Sequence, residues 1–212
     1  MNNQEEQLNA LSDIRKMMDR SSRFISLSGL SGVFAGITGL VGAYLAHLEL
    51  KKYVGKTYDY ATSTDAGADI EANLIKIAFG VLFVALAGGF LFTLRQTKKN
   101  NLPFWDKTSR ALLVNLAIPL IAGAFFILAL LFNTTGGAAL VAPTCLVFYG
   151  LALINASKYT YTDIRFLGIC EVILGIIALF NIGYGLYFWA FGFGVLHIIY
   201  GFIMYFKYER TK

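Results

Sequence analysis

Six long apolar runs constrain this chain more than any other feature. A helix rises about 1.5 Å per residue, so a run of about 20 apolar residues crosses the roughly 30 Å hydrocarbon core of a bilayer. Backbone N–H and C=O groups find no other partners in hydrocarbon, so such runs are predicted to be helices. The predicted fold class is all-α, a polytopic membrane protein with six transmembrane helices, at about residues 24–48, 74–94, 111–132, 137–156, 166–181 and 185–206.

Composition agrees with this prediction. Of the 212 residues, 57% are hydrophobic and only 15% are charged, whereas a soluble domain averages about 25% charged residues. The net charge of +5 comes from Lys and Arg residues between the apolar runs, where they suit anionic lipid headgroups. The lipid bilayer is therefore a predicted partner, and a nucleic acid is not. Cys145 and Cys170 form no disulfide or metal motif, and neither a metal nor a cofactor is predicted.

The chain divides into an amphipathic interfacial helix, a transmembrane bundle and a short cytoplasmic tail, at residues 1–23, 24–208 and 209–212. In the first region Leu8, Leu11 and Met18 fall at helical spacing, and Lys and Arg residues crowd its end, which is typical of a helix on the membrane surface. This helix is interpreted either as a docking or oligomerisation element or as a solvated lead-in. Within the bundle, residues 49–72 are predicted to be a long polar loop, with an irregular segment such as residues 61–67.

Loop charges predict the orientation. The N-terminal arm, the second loop, the fourth loop and the tail hold four, five, two and three Lys or Arg residues. The opposite side has three, Lys51, Lys52 and Lys56. The positive-inside rule then places both termini in the cytoplasm, which an even number of spans also requires. The predicted location is the inner (plasma) membrane of the cell, as a multi-pass protein.

Glycines in the first span predict close helix packing. Gly32 and Gly36 form a small-xxx-small pair, which lets two backbones approach closely and so supplies packing energy in lipid. The helix is predicted to be central in the bundle or to form a tight seam between two chains. A homo-oligomer or a membrane-protein partner would use the Gly32 and Gly36 face or the N-terminal helix.

An internal repeat relates the last four spans. Residues 127–133 (ILALLFN) resemble residues 175–181 (GIIALFN), and a short turn that contains Gly follows each segment. Each return helix then carries a Tyr-Gly step, which begins at Tyr149 and at Tyr200. The pattern predicts three helical hairpins, two of them related as a parallel repeat, without the inverted symmetry that is typical of many secondary transporters.

Hairpins with a span that ends in Leu-Phe-Asn, a short Gly-rich turn and a Gly-containing return helix resemble the short-repeat, six-helix bacterial membrane proteins of the acid-resistance type. The likeness covers about residues 117–208. The chain departs from that family at Asn133-Thr134 and Asn181-Ile182, where the family usually has Asn-Pro, and in its long first loop and N-terminal helix. The whole chain also resembles uncharacterised small bacterial integral membrane proteins. The resemblance implies a membrane protein without known catalytic residues.

Glu171 and His197 are the first candidate binding pair. They flank a turn near Gly183 at similar distances, so in an antiparallel hairpin they fall at similar depth. A carboxylate in hydrocarbon is costly unless it is paired, protonated or hydrated, and a nearby imidazole can share its proton. The pair is interpreted as a proton relay or a pH-responsive contact. Two alternatives stay open: a polar bond that only joins two helices, and a solvated Glu171 near Arg165.

Asn115 and Asn155 are the second candidate pair. They lie at matched distances from the turn that follows Asn133, and they are predicted to hydrogen-bond between the third and fourth spans. Such a bond contributes on average about 0.6 kcal/mol in a membrane protein. Pro119 and Pro143, in the same two spans, are predicted to kink them.

These observations favour a function without catalysis. The sequence contains no nucleophile–base constellation, metal-binding motif or phosphate-binding loop, so no catalytic residue is predicted. The leading hypothesis is an integral membrane protein that acts through protein or lipid contacts, for example in envelope stress. The alternative is a small transporter or channel that binds a proton or a solute near Glu171 and His197.

Overall fold

The structure is a computed structural model that describes residues 27–56, 65–100, 105–133 and 136–210, together with Gln7. The N-terminal helix predicted for residues 1–23 lies outside the described residues, except for Gln7. The described residues are mostly helical, with short turns between the helices, and contain no strand. They form helices α1 (Gly29–Lys56), α2 (Asp65–Lys99), α3 (Lys107–Asn133), α4 (Val141–Ala156), α5 (Asp163–Leu179) and α6 (Gly185–Glu209).

Helix α6 changes its winding along its length. Ordinary α-helical turns at Gly185–Trp189 and His197–Met204 alternate with π-helical turns at Ala190–Leu196 and Tyr205–Glu209. A π-helical segment is wider than an α-helix and is frequently found at a functional site. The first of the two directly precedes His197, and this placement bears on the candidate site below.

Five of the described helical segments are long and apolar enough to cross a membrane: Gly29–Lys52, Ala72–Lys99, Lys107–Asn133, Gly137–Tyr159 and Gly185–Glu209. The fourth comprises α4 with short 3-10 turns at both of its ends. Helix α5 has 17 residues and is about 26 Å long at 1.5 Å per residue. The all-α fold and five of the predicted spans are therefore confirmed at the level of length and composition.

The predicted loop at residues 49–72 is wrong at both of its ends. Helix α1 continues to Lys56 and α2 begins at Asp65, so only the middle of that loop lies outside the described residues. The first helix keeps its hydrogen bonds after its apolar run stops, and Lys52 donates to Glu49 across one turn at 2.6 Å. Hydropathy marks where a helix meets lipid, whereas the helix ends where its backbone bonding ends.

The outward faces of the helices are apolar. Several large side chains are two thirds or more exposed on the protein surface, among them Phe79, Phe83, Phe125, Phe132 and Phe180. A water-soluble monomer rarely exposes contiguous apolar patches beyond a few hundred Å². This surface suits hydrocarbon as the surrounding medium.

Helix α1 packs in antiparallel fashion against both α2 and α6. Its Gly42 lies against Val81 of α2, while a stripe of glycines faces α6. A Cβ on Gly36 would lie 2.6 Å from the Gly194 carbonyl oxygen and 2.9 Å from the Ile198 nitrogen. The Gly32 and Gly36 face is thus occupied by α6 within the chain.

The most extensive helix packing joins α4 and α5. A Cβ on Gly150 would lie 2.6 Å from the Gly168 carbonyl oxygen, and a Cβ on Gly168 would lie 2.7 Å from that of Gly150. Gly175 lies against Val147 further along, so this pair is also antiparallel. This contact places α4 and α5 side by side and, with α6, forms the three-helix centre of the bundle.

Polar bonds tie the helices together at one end of the bundle. Glu209, at the end of α6, accepts hydrogen bonds from the Gly29 N–H and, at 3.3 Å, from the Ser28 hydroxyl at the start of α1. Asp163, at the start of α5, accepts from Lys207 at 2.9 Å and from Tyr208 at 2.5 Å. These bonds join the end of α6 to the start of α1 and to the start of α5.

We predict that Gly36→Ala destabilises the protein by roughly 1–3 kcal/mol, because the added methyl group overpacks the seam between α1 and α6. The matched control is Gly80→Ala in α2, where an added Cβ meets no atom within 4 Å; there the loss of a glycine from a helix is expected to be neutral or stabilising by up to about 1 kcal/mol. Thermal unfolding in mild detergent measures both. Equal effects of the two substitutions would contradict the packing of α1 against α6.

Candidate functional site

Glu171 of α5 is the most deeply buried ionisable group among the described residues. Its side chain is 0% exposed, and neither carboxyl oxygen has a hydrogen-bond partner within the described part of the protein. The alternative of a solvated Glu171 near Arg165 is therefore wrong, because no part of the carboxyl group reaches the surface. A buried polar group without a partner is costly, which makes this position a candidate for function.

His197 of α6 is also buried, with 6% of its surface exposed, and both of its ring nitrogens have partners. The Nδ1 atom lies 2.9 Å from the Gly192 carbonyl oxygen. A carbonyl oxygen only accepts hydrogen bonds, so Nδ1 carries the proton. In the neutral imidazole Nε2 then accepts, and it lies 2.7 Å from the Tyr149 hydroxyl of α4. The tautomer of His197 is thus defined by its two neighbours.

Glu171 and His197 meet in the structure, as their sequence positions predicted. The His197 Nδ1 atom lies 3.5 Å from the Glu171 Oε1 atom. This is an ion-pair distance when the imidazole is protonated, but it is not a hydrogen bond, because the Nδ1 proton points to Gly192. The carboxyl group therefore has an imidazole within reach and does not bond to it.

Gly192 makes room for the carboxyl group. A Cβ at this position would lie 2.5 Å from the Glu171 Oε2 atom and 2.5 Å from the Leu146 Cδ2 atom. Gly192 belongs to the π-helical turn Ala190–Leu196, and its carbonyl oxygen accepts from His197. The wider helix and the missing side chain together let α6 lie against Glu171.

Tyr149 is a member of the site that the sequence interpretation missed. Its ring stacks on His197 with centroids 5.4 Å apart, and it also contacts Phe193 at 5.1 Å. In the sequence, Tyr149 stood out only as part of the Tyr-Gly step of the predicted repeat. The available signal was its phenol within an apolar span, because a buried tyrosine hydroxyl usually has a hydrogen-bond partner.

Asn115 and Asn155 also meet, at a separate place between α3 and α4. The Asn155 side chain donates to the backbone carbonyl of Asn115 at 2.9 Å, while the Asn115 side chain donates to Ala111 in its own helix. Pro119 lies four residues after Asn115 and has no N–H to bond that carbonyl. The predicted contact is therefore made, but it is a side chain that satisfies a backbone group freed by proline.

Pro143 lies in the first turn of α4. A missing N–H disturbs a helix least in its first turn, where the backbone donors have no intrahelical partners. The two prolines are therefore not equivalent, since only Pro119 interrupts the middle of a helix.

Two surface cavities lie away from Glu171. One cavity of about 360 Å³ lies among the ends of α1, α2 and α6, and another of about 400 Å³ lies between α5 and α6 at the opposite end. Neither is lined by Glu171 or His197. Within the described ranges, no three His, Cys, Asp or Glu side chains are grouped so that they could hold a metal ion.

Comparisons with protein-family models, with curated proteins and with solved structures each gave no match for this sequence.

We predict that Tyr149→Phe destabilises the protein by about 1–3 kcal/mol, because it leaves the Nε2 acceptor of buried His197 without a partner. Tyr187→Phe is the matched control: it removes the same hydroxyl from an exposed side chain and should change stability by less than about 0.5 kcal/mol. Thermal unfolding in mild detergent is again the measurement. A Tyr149→Phe variant as stable as the control would mean that the bond to His197 does not form.

We further predict that Asn155→Ala costs about 0.6 kcal/mol and at most about 1.7 kcal/mol. In a Pro119→Ala background the cost should fall, because the restored N–H of residue 119 donates to the Asn115 carbonyl in place of Asn155. A double-mutant cycle of unfolding free energies measures this coupling. Additive effects of the two substitutions would show that Asn155 does not serve the carbonyl that proline frees.

Proposed function

We propose that this chain is a multi-pass membrane protein that acts without catalysis, through contacts with lipid or with other membrane proteins, in a role such as envelope stress. Its predicted place is the inner (plasma) membrane, with six spans in three hairpins and both termini in the cytoplasm. The five apolar helical segments and the apolar outer surface support the membrane assignment.

Helix α5 is proposed as the sixth span. Its 17 residues lie at the lower end of the range of about 17–25 that crosses a bilayer. It packs against α4 over most of its length, and α4 belongs to one of the five longer segments. A sixth span also brings the cationic ends of α2, α3 and α6 to one side of the membrane, as the positive-inside rule requires.

The observation that carries the proposal is the closed centre of the bundle. Glu171 is fully buried, and neither described cavity reaches it. A pore or an alternating-access site requires a path for its solute, whereas a contact protein requires none. The Glu171, His197 and Tyr149 cluster is then a pH-responsive contact among three helices, and a change in its proton content would alter how α4, α5 and α6 pack.

A small transporter or channel is the second candidate. The Glu171 carboxyl oxygens have no partners among the described residues and lie next to a π-helical turn, a feature that is frequent at functional sites. Both features suit a transient proton-binding or solute-binding site. In this alternative the closed centre is one of two states, and a rearrangement of α6 opens it.

A flux assay in proteoliposomes distinguishes the contact protein from the transporter or channel. We expect the purified protein to produce no proton or solute flux above that of protein-free vesicles, at pH values from about 5 to 8. We also expect its stability in detergent to vary over this range, and Glu171→Gln to reduce that variation while the protein still inserts. Glu49→Gln, outside the bundle centre, is the charge-matched control. Flux that Glu171→Gln abolishes and Glu49→Gln preserves would replace the proposed function with the alternative.

A further inference from the structure

The cavity of about 360 Å³ among the ends of α1, α2 and α6 combines charged, polar and apolar side chains. Its volume lies within the range of roughly 300–1,000 Å³ that is usual for small-molecule sites. Three helices contribute to its wall: Ser28 and Leu30 from α1 and the residue before it, Phe92, Arg95, Gln96 and Lys99 from α2, and Tyr205 and Glu209 from α6.

The charge of this cavity is positive and is not neutralised from within. Arg95 and Lys99 lie one helical turn apart on α2, and no carboxylate of the described residues forms an ion pair with either. The one carboxylate in the wall, Glu209, already accepts from Ser28 and from the Gly29 N–H. Two cations therefore face a single acid whose oxygens are engaged, which leaves room for one further negative charge.

Leu30 and Phe92 form the apolar part of the wall. Leu30 is exposed on the outer surface of α1, and Phe92 lies 5.7 Å from Phe34 between ring centroids. Polar and apolar walls thus adjoin one another in one cavity, at the point where the apolar part of α2 passes into its basic last turn, which ends in Lys98 and Lys99. Headgroups and acyl chains adjoin one another at the same level of a bilayer.

We propose that this cavity binds an anionic phospholipid, with the phosphate group between Arg95 and Lys99 and the acyl chains along Leu30 and Phe92. The proposal rests on the proposed residence of the protein in a membrane, and it names a lipid partner for it. A guanidinium donates two parallel hydrogen bonds to phosphate oxygens, and an ammonium adds a point charge. The glutamine side chain of Gln96 adds a donor for a headgroup hydroxyl or an ester oxygen.

Native mass spectrometry of the full-length protein, released from mixed phosphatidylglycerol and phosphatidylcholine nanodiscs, tests this site. We expect the wild-type protein to retain one phosphatidylglycerol in preference to phosphatidylcholine. The double substitution Arg95→Gln with Lys99→Gln should lower its occupancy about 10- to 30-fold, because each Lys or Arg near an anionic headgroup contributes about fivefold. The matched control is Lys98→Gln with Arg165→Gln, which removes one Lys and one Arg that do not line the cavity.

The outcomes are distinct. A preference that survives in the control and is lost in the cavity variant supports the site. Equal losses in both variants would overturn it, since they would show only a general attraction of cations for anionic lipid. Displacement of the lipid by an equal concentration of soluble glycerophosphate would overturn the lipid assignment in favour of a free phosphate. Recovery of the wild-type protein outside the nanodiscs would refute the membrane residence itself, and that result is separate from a membrane-embedded protein without lipid preference.

Discussion

Hydrocarbon offers no hydrogen-bond partner, so each polar group inside this bundle has to find one in the protein. The structure meets this requirement at two places with long-range pairs that also determine which helices adjoin, whereas the Glu171 carboxyl group has no hydrogen-bond partner within the described residues. Asn155 of α4 bonds the Asn115 carbonyl of α3, and His197 of α6 bonds Tyr149 of α4. Each bond is modest in free energy. A helix rotated about its axis would lose its bond and bury an unpaired group, so the pairs select one packing among many apolar ones.

Glycines allow the close helix contacts that stabilise the bundle, and the polar pairs determine how the helices are oriented in these contacts. Lipid tails are as apolar as leucine side chains, so helices gain little by burying apolar surface against each other and gain more by close backbone contact. In two seams, α1 with α6 and α4 with α5, glycines lie against the backbone of the partner helix. Gly150 and Gly201, which follow the two tyrosines of the predicted repeat, lie one in each seam. The repeat itself stays a prediction, but Gly150 and Gly201 each allow close contact with the backbone of a neighbouring helix.

The helices and the two polar pairs could be predicted from different features of the sequence. Apolar runs identify spans because the thickness of the bilayer sets their length. Similar distances from a turn predicted that Glu171 lies near His197 and that Asn115 lies near Asn155. The sequence pattern did not identify Tyr149, which contacts His197 because α4 packs against α6, a helix that is not its neighbour in sequence. Nor did it identify Gly192, whose role depends on the close approach of α6 to Glu171 of α5. It also did not reach the winding of α6, since no periodicity in an apolar run distinguishes a π-helical turn from an α-helical one. These features depend on tertiary packing, which the sequence pattern alone does not show.

The positions of the protons on His197 determine how this ring can interact with Glu171, whose carboxyl group has no hydrogen-bond partner in the described part of the chain. In the neutral imidazole Tyr149 donates to Nε2, and Nδ1 donates to Gly192. A second proton on the ring would put an N–H on Nε2, and the Tyr149 oxygen would then have to accept instead of donate. The hydrogen bond would reverse without a change in the positions of the two heavy atoms, while an ionised Glu171 at 3.5 Å would gain a charged partner. Because Nδ1 already carries a proton, a proton from Glu171 would have to reach Nε2 on the Tyr149 side of the ring. The transfer therefore needs a relay or a rotation of the ring, and the Tyr149 hydrogen must leave His197 and find another acceptor. The cost of that last step decides whether the cluster stays in one state or responds to pH.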